Sequence, residues 1–416
     1  MKTAAIICEY NPFHNGHKYQ IEQIRKQLSV DYVIALMSGN FVQRGEPAIM
    51  NKELRTRIAL ECGADLVLLL PVCVSTGSAD VFAYGAVTIL NHLNSVDYLV
   101  FGSECGNLEL LKEAAAGLYE NGTADSPKIL ELMKQGMTFA KARSVVFPEY
   151  DDLLSHSNNV LAIEYLQAMI ATGSKISPYT ILRTGSGYNE SAIPQGNEFP
   201  SAKSIRQGIL EIANTQPDAE ICDEFLNYFS GYMPKAAIDL MAPLFNISYP
   251  VFYDNFSAEL LYAILQNNAN CSRFCDVSPA LINRILNKLC EYTKISEFID
   301  KVNSKDLTYA RISRALLHIL LNIEMSPMDI KTTVATMSHI RMMGFRKSSK
   351  ELLTYISERS SICLVSKVVD VLENANSSSK MIFEEELLAS SLYDYKVSAL
   401  YGEPFVPEYS KPFIVV

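Results

Sequence analysis

Four short, unbroken apolar runs, each separated from the next by room for a helix, constrain this chain more than any other feature. Ala4–Cys8, Tyr32–Met37, Leu66–Leu70 and Tyr98–Phe101 are continuous rather than alternating, which is how strands buried on both faces read. Between them His17–Leu28, Asn51–Cys62 and Val81–Leu93 repeat their apolar residues with the period of about 3.6 of an amphipathic helix. Strict strand–helix alternation predicts an α/β fold with a doubly wound, Rossmann-like parallel sheet. Ligands of such sheets sit beyond the C-terminal ends of the strands, so function is expected in the loops that follow these runs.

The remainder divides less evenly. A helical insertion is expected over 108–150, then a helix Asn158–Thr172, a strand Pro178–Arg183, a polar Gly/Pro loop over 185–200 and a short helix Ser201–Ile212 with Ser201 near its N-cap. After Gln216-Pro217-Asp218 the chain reads as almost wholly helical, with no further strand–helix alternation. A chain of 416 residues has room for two or three domains; 1–218 is read as the α/β domain and 219–416 as an α-helical one.

Composition excludes several classes. With 49% hydrophobic and 20% charged residues the chain is not mainly disordered. Nine scattered cysteines, an odd count without framework spacing, fit reduced thiols rather than a disulfide scaffold. The apolar stretch near 66–74 is broken by Pro71, and the N-terminal run is too short for a signal peptide, so a cytoplasmic protein with no membrane span is expected. The net charge of −10 argues against indiscriminate coating of nucleic acid and leaves room for a local basic patch.

The first loop is Glu9-Tyr10-Asn11-Pro12-Phe13-His14-Asn15-Gly16-His17, and a helix follows it. His14 and His17 are three apart, so one helical turn brings both rings to one side. Gly16 removes a side chain where a phosphate can approach the helix N-terminus, whose amides and dipole favour anions. Two imidazoles there can hydrogen-bond nucleotide phosphates and stabilise charge growing on the α-phosphate. The alternative is a capped helix start with two surface histidines. No Gly-Lys dipeptide occurs anywhere, which rules out a Walker A loop, and Gly185-Ser186-Gly187 is followed by Glu190 where a dinucleotide fingerprint needs its third glycine.

His-x-Gly-His after the first strand resembles the nucleotidylyltransferase and class I aminoacyl-tRNA synthetase superfamily, whose members bind ATP there and release pyrophosphate. Ser201-Ala202-Lys203-Ser204-Ile205-Arg206 resembles the second motif of that superfamily. On this reading Ser204 holds the β/γ-phosphates through its hydroxyl and amide, while Lys203 and Arg206 neutralise the leaving pyrophosphate.

Ser38–Pro47, Phe101-Gly102-Ser103-Glu104, Ser157-Asn158-Asn159 and Arg183, taken with Glu9–His17, narrow the likeness to the bacterial tRNA(Met) cytidine acetate ligase family. In the helical half Tyr309–Arg314 and Leu364–Lys367 are similar to it more loosely. Ser157 departs from the family pattern, which has proline before the Asn pair. The resemblance implies a Rossmann-like nucleotidylyltransferase (HUP-type) domain followed by an α-helical, tRNA-binding one. It implies ATP as substrate with Mg2+, and acetate and elongator tRNA(Met) as partners, with no obligate protein partner. Acetate would become acetyl-adenylate, and the acetyl group would pass to N4 of the wobble cytidine.

The same resemblance puts Ile7, Cys8, Glu9, Tyr10, Asn11, Pro12, Phe13, His14, Asn15, Gly16, His17, Lys18, Tyr19 and Gln20 in the ATP site, with Gly102, Asn158 and Arg183. Asn159, next to Asn158, is the alternative contact, and Gly102 has the alternative of a plain strand-end turn. His14, His17, Ser204 and Arg206 carry the chemistry. Arg44 and Glu46 either hold acetate or form a structural ion pair.

Between 305 and 350, Lys305, Arg311, Arg314, Lys331, Arg341, Arg346, Lys347 and Lys350 outnumber Asp306, Glu324 and Asp329. Arg311, Arg314 and His318 share a helical face that either grips RNA phosphates or is simply solvated, and Arg346 and Lys347 extend the basic group. Tyr309 and Phe345 either stack on a splayed anticodon base or belong to the core. Cys271-x3-Cys275 lacks the second pair that a zinc site needs, so no metal ligands are assigned. Two other functions remain open: a small-metabolite nucleotidylyltransferase, which would not need the helical half, and a non-catalytic tRNA-binding protein.

Overall fold

The apolar runs become β1 (Thr3–Cys8), β2 (Tyr32–Ser38), β5 (Leu66–Leu70) and β6 (Tyr98–Ser103); β3 (Phe41–Val42) and β4 (Glu46–Pro47) form a separate antiparallel hairpin after β2. The computed structural model describes residues 1–123, 126–135, 137–183, 201–215, 225, 228–304 and 307–416. The loop over 185–200, the 218/219 boundary, Cys222, Lys305 and Asp306 lie outside the described residues.

With β7 (Ser177–Leu182) the parallel strands run in the order β5-β2-β1-β6-β7. The order reverses at β1, so a crevice opens beyond the C-terminal ends of β1 and β6. The strands are apolar throughout because both faces are covered. Ile34, Leu36, Leu66, Leu68 and Leu99 bury one face, and Val33, Ala35, Met37, Val67 and Val100 the other. Each such side chain, removed fully from water, contributes roughly 1.5–3 kcal/mol.

On one side lie α1 (Asn15–Leu28) and α2 (Lys52–Glu61); on the other are α3 (Val72–Ser75), α4 (Ala79–Leu93) and α9 (Ser157–Thr172). Between β6 and α9 the chain forms α5 (Leu108–Asn121), α6 (Pro127–Lys134), α7 (Phe139–Val146) and α8 (Asp151–Ser155). α10 (Ala202–Thr215) follows β7.

The second half is mostly helical, as expected, and it also adds three strands to the sheet. β8 (His339–Phe345) pairs antiparallel with β5, and β9 (Cys363–Val365) and β10 (Ile414–Val415) pair parallel with β8. His339-Ile-Arg-Met-Met-Gly-Phe345 carries one β-branched residue and a glycine, so local propensity gives no strand signal. The open edge of β5 supplies the pairing instead.

Candidate active site

The His14–His17 loop leaves the end of β1 and is closed by its own histidines. His14 is the N-cap of α1: its Nδ1 accepts the Gly16 N–H at 3.1 Å, and His17 Nδ1 accepts the His14 N–H at 3.2 Å. The two rings stack with centroids 3.7 Å apart. Tyr10, at a φ of 47° and 1% exposed, sets its ring edge against His17 at 4.9 Å and against Phe13 at 4.7 Å. Non-glycine residues seldom occupy that left-handed region.

Burial first, then the Arg183 charge, pushes the His14 pKa down to about 3; burial, His14 and Arg183 push His17 well below its usual value. Both rings are therefore neutral. A neutral imidazole that accepts at Nδ1 carries its proton on Nε2. The expectation that phosphate meets free amides of α1 is corrected here. Asn15 N–H donates to Tyr232 O, Gly16 N–H to His14 Nδ1, and the His17 and Lys18 N–H groups to His14 O. The Nε2–H of each ring is not used by any of these bonds.

Gly102, at the end of β6, is bare for a physical reason: a Cβ there would stand 3.0 Å from Cγ of Arg183, whose stem lies across it. Beyond it Glu104 caps α9. Its carboxylate accepts the N–H groups of Asn158 at 3.1 Å and Asn159 at 2.8 Å, and the Asn158 side-chain amide at 2.6 Å. An anion at a helix N-terminus is favourable, and this explains how the helix starts at Ser157 without proline. Asn159 is 2% exposed and its Oδ1 accepts the N–H groups of Glu104 and Cys105. Asn158 is the half-buried member of the pair.

α10 brings Arg206 to the same crevice. Its guanidinium donates to Asn11 O at 2.9 Å and to Glu46 Oε1 at 3.2 Å. Glu46 thus pairs with Arg206 of α10, a partner that the reading of the Arg44–Glu46 loop did not name. Glu9 accepts the Gln43 N–H at 3.0 Å; burial raises its pKa, opposed by that N–H and by Arg206. Ser204 is 1% exposed and does not face the crevice: its hydroxyl donates to Ser201 O and its N–H to Ser201 Oγ. Both groups assigned to phosphate build the start of α10 instead.

The HIGH Nucleotidyl Transferase family model matches residues 1–403. The tRNA(Met) cytidine acetate ligase of Thermoanaerobacter sp. (strain X514) is 39% identical over 415 residues, 98% of each chain. That of Acetivibrio thermocellus is 36% identical over 402 residues, 94% of each. The chain belongs to the tRNA(Met) cytidine acetate ligase family. Among solved structures it is similar to Thermotoga maritima TmcAL in its apo form, with a TM-score of 0.86, 28% identity and coverage of 99% of this chain and 97% of that one. The crystal structure of TmcAL bound with alpha-thio ATP gives the same TM-score and identity over 100% of both chains.

In this acetate ligase family member, among the described residues, the basic side chains of the second half are not gathered into one stripe. His318 is fully buried, bonded to Cys275 O and the Thr76 hydroxyl, and Arg314 pairs with Asp276 at 3.1 Å. Arg311 is exposed on that helix, Tyr309–Leu321. Arg346 and Lys347 follow β8, whose Phe345 pairs with Leu66, the first residue of β5. They therefore lie at the opposite end of the sheet from the crevice, and Phe345 packs against Phe413 there.

Sequence reading missed Arg55, which is fully buried and donates to the carbonyls of Glu9, Ser38, Gly39 and Met50, clamping the loops after β1 and β2. Its signal was available: Lys52, Arg55 and Ala59 share one helical face with the apolar residues of α2.

Proposed function

We propose that this chain activates acetate with ATP as acetyl-adenylate and transfers the acetyl group to N4 of the wobble cytidine of elongator tRNA(Met), in the cytoplasm. The observation that carries this is the pair of neutral imidazoles, each with Nδ1 held by a backbone N–H and Nε2–H left as a donor.

In the first step an acetate oxygen bonds to the α-phosphorus and the bond to pyrophosphate breaks. Acetate is ionised at neutral pH and needs no base. The Nε2–H groups of His14 and His17 bind charge developing on the phosphates, and fixed donors in a water-poor cleft are worth far more than in water. Arg206 faces the same anion from α10, and Arg183 from β7. Gly102 and Asn158 receive the nucleoside. Mg2+ bound to the ATP phosphates would supply positive charge to the departing pyrophosphate. Glu9, whose Oε1 accepts the Gln43 N–H, would offer its other carboxylate oxygen, a hard donor of the kind Mg2+ takes, to an ion carried by the phosphates.

In the second step N4 attacks the acetyl carbon and AMP leaves. Cytosine N4 is a poor nucleophile, so placement matters more than proton removal. Residues 1–218 supply the catalytic groups and 219–416 the RNA contacts, with Arg311 as a phosphate contact. The test is a reaction of purified protein with ATP, labelled acetate and tRNA(Met), read by nucleoside mass spectrometry and nucleotide analysis. N4-acetylcytidine with AMP and pyrophosphate is expected; ADP, or no label in RNA, overturns the assignment.

A further inference from the structure

The hairpin that carries Glu46 rests directly on the Tyr309–Leu321 helix. Gly45 has a φ of 77°, and a Cβ there would run into the backbone of Arg314 and Ser313. Only glycine permits so close an approach. The Ser313 hydroxyl donates to Gly45 O at 2.9 Å, and the Tyr253 hydroxyl donates to Ser313 O at 3.0 Å. Tyr309 lies four residues before Ser313, one turn along the same helix face, and is 43% exposed. Burial and then the Glu46 carboxylate hold its phenol up at about 12, with Asp300 and Asp254 acting in the same sense. Glu46 in turn pairs with Arg206, which bonds Asn11 in the histidine loop. Tyr309 is thus exposed on the helix against which the Glu46 hairpin rests, one turn before the Ser313–Gly45 contact, and Glu46 reaches the histidine loop through Arg206.

These groups suit a base better than a phosphate. A carboxylate accepts from the exocyclic amine of cytosine and opposes the carbonyl that uracil presents at the same place, while an aromatic ring stacks on any base.

We propose that Tyr309 and Glu46 form the acceptor-base subsite, Tyr309 stacking on the base and Glu46 accepting one N4–H, so that the crevice takes an amino-pyrimidine and refuses a keto-pyrimidine. This rests on the acetyl-transfer reading above. It assigns Tyr309 to the transfer step and gives it no part in adenylate formation.

The experiment compares Tyr309→Ala, Tyr309→Phe and the unaltered chain in two assays, acetate-dependent pyrophosphate exchange without RNA and acetylation of tRNA(Met). Tyr309→Ala is expected to raise the KM for tRNA about tenfold or more, with exchange at the unaltered rate, and Tyr309→Phe to restore the KM. A tRNA(Met) with uridine at the wobble position should inhibit the unaltered chain more weakly than the cytidine form competes. Unchanged KM in Tyr309→Ala overturns the subsite. So does parallel loss of exchange and transfer, which would make Tyr309 a prop for the hairpin. Absence of exchange in the unaltered chain is a different failure, that of the acetate-ligase reading itself.

Discussion

His14 and His17 stack with ring centroids 3.7 Å apart, and each gives its Nδ1 to a backbone N–H of the turn they share. Neither ring can turn without opening the start of α1, so both Nε2–H donors are fixed before substrate arrives. His17→Ala removes one of them. Loss of one such donor typically lowers turnover by about 10²–10³, and that fall is expected in pyrophosphate exchange, with tRNA binding by filter retention unchanged. Loss of tRNA binding to the same degree would contradict this assignment.

The pH profile follows from the same burial. The folded pKa of His14 is depressed to about 3, chiefly by burial, so protonation favours the unfolded chain. The His14 contribution to stability is complete above its ordinary value of about 6.5 and is lost as pH falls from there toward 3. Exchange rate is expected to be flat between pH 6 and 8 as far as these rings are concerned. A limb near 6.5 that vanishes in His14→Asn would show that the ring titrates.

The adjacent asparagines should separate cleanly. Asn159 is bound to the turn after β6, so Asn159→Ala leaves the N–H groups of Glu104 and Cys105 without their acceptor. A loss of about 1–3 kcal/mol in denaturant unfolding is expected. Asn158→Ala removes a half-buried amide together with its bond to Glu104, and is expected to raise the KM for ATP several-fold, with a smaller loss of stability than Asn159→Ala. Reversed effects would exchange their roles.

A buried ionic cluster joins α2 to the C-terminal segment and sets a second pH dependence. Lys52, fully buried, lies 3.0 Å from Glu408 and 3.8 Å from Glu386, and Arg341 also bonds Glu408. Burial, partly opposed by Lys52, raises Glu386 to about 7, whereas Lys52, Arg341 and Lys411 outweigh burial and hold Glu408 at about 2. The signs are opposite. Glu408 stabilises above its unfolded value of about 4.5 and that is lost as pH falls toward 2; the Glu386 penalty grows as pH rises from about 4.5 to 7. Glu386→Gln should remove the decline between pH 4.5 and 7, on the order of 3 kcal/mol, and keep the loss in acid. An unchanged slope in urea titrations would show that Glu386 ionises freely.

The parallel sheet was legible because β1, β2, β5 and β6 are continuous apolar runs, a pattern only burial on both faces requires. The histidine loop was legible because motif and strand end coincide. What was not legible depends on contacts distant in the chain. Glu104 caps a helix 54 residues later, Arg55 bonds carbonyls up to 46 residues away, and β8 is a strand only because β5 offers an edge. The basic stripe failed for a related reason: spacing puts Arg311, Arg314 and His318 on one face, but Asp276, Cys275 and Thr76 pack against two of the three.

The most direct measurement is exchange of labelled pyrophosphate into ATP, with and without acetate, in the absence of tRNA. Exchange that requires acetate is the predicted result, since it reports reversible formation of acetyl-adenylate by the catalytic groups alone. No exchange with acetate present, either alone or after tRNA(Met) is added, in protein that still binds ATP, would contradict the account.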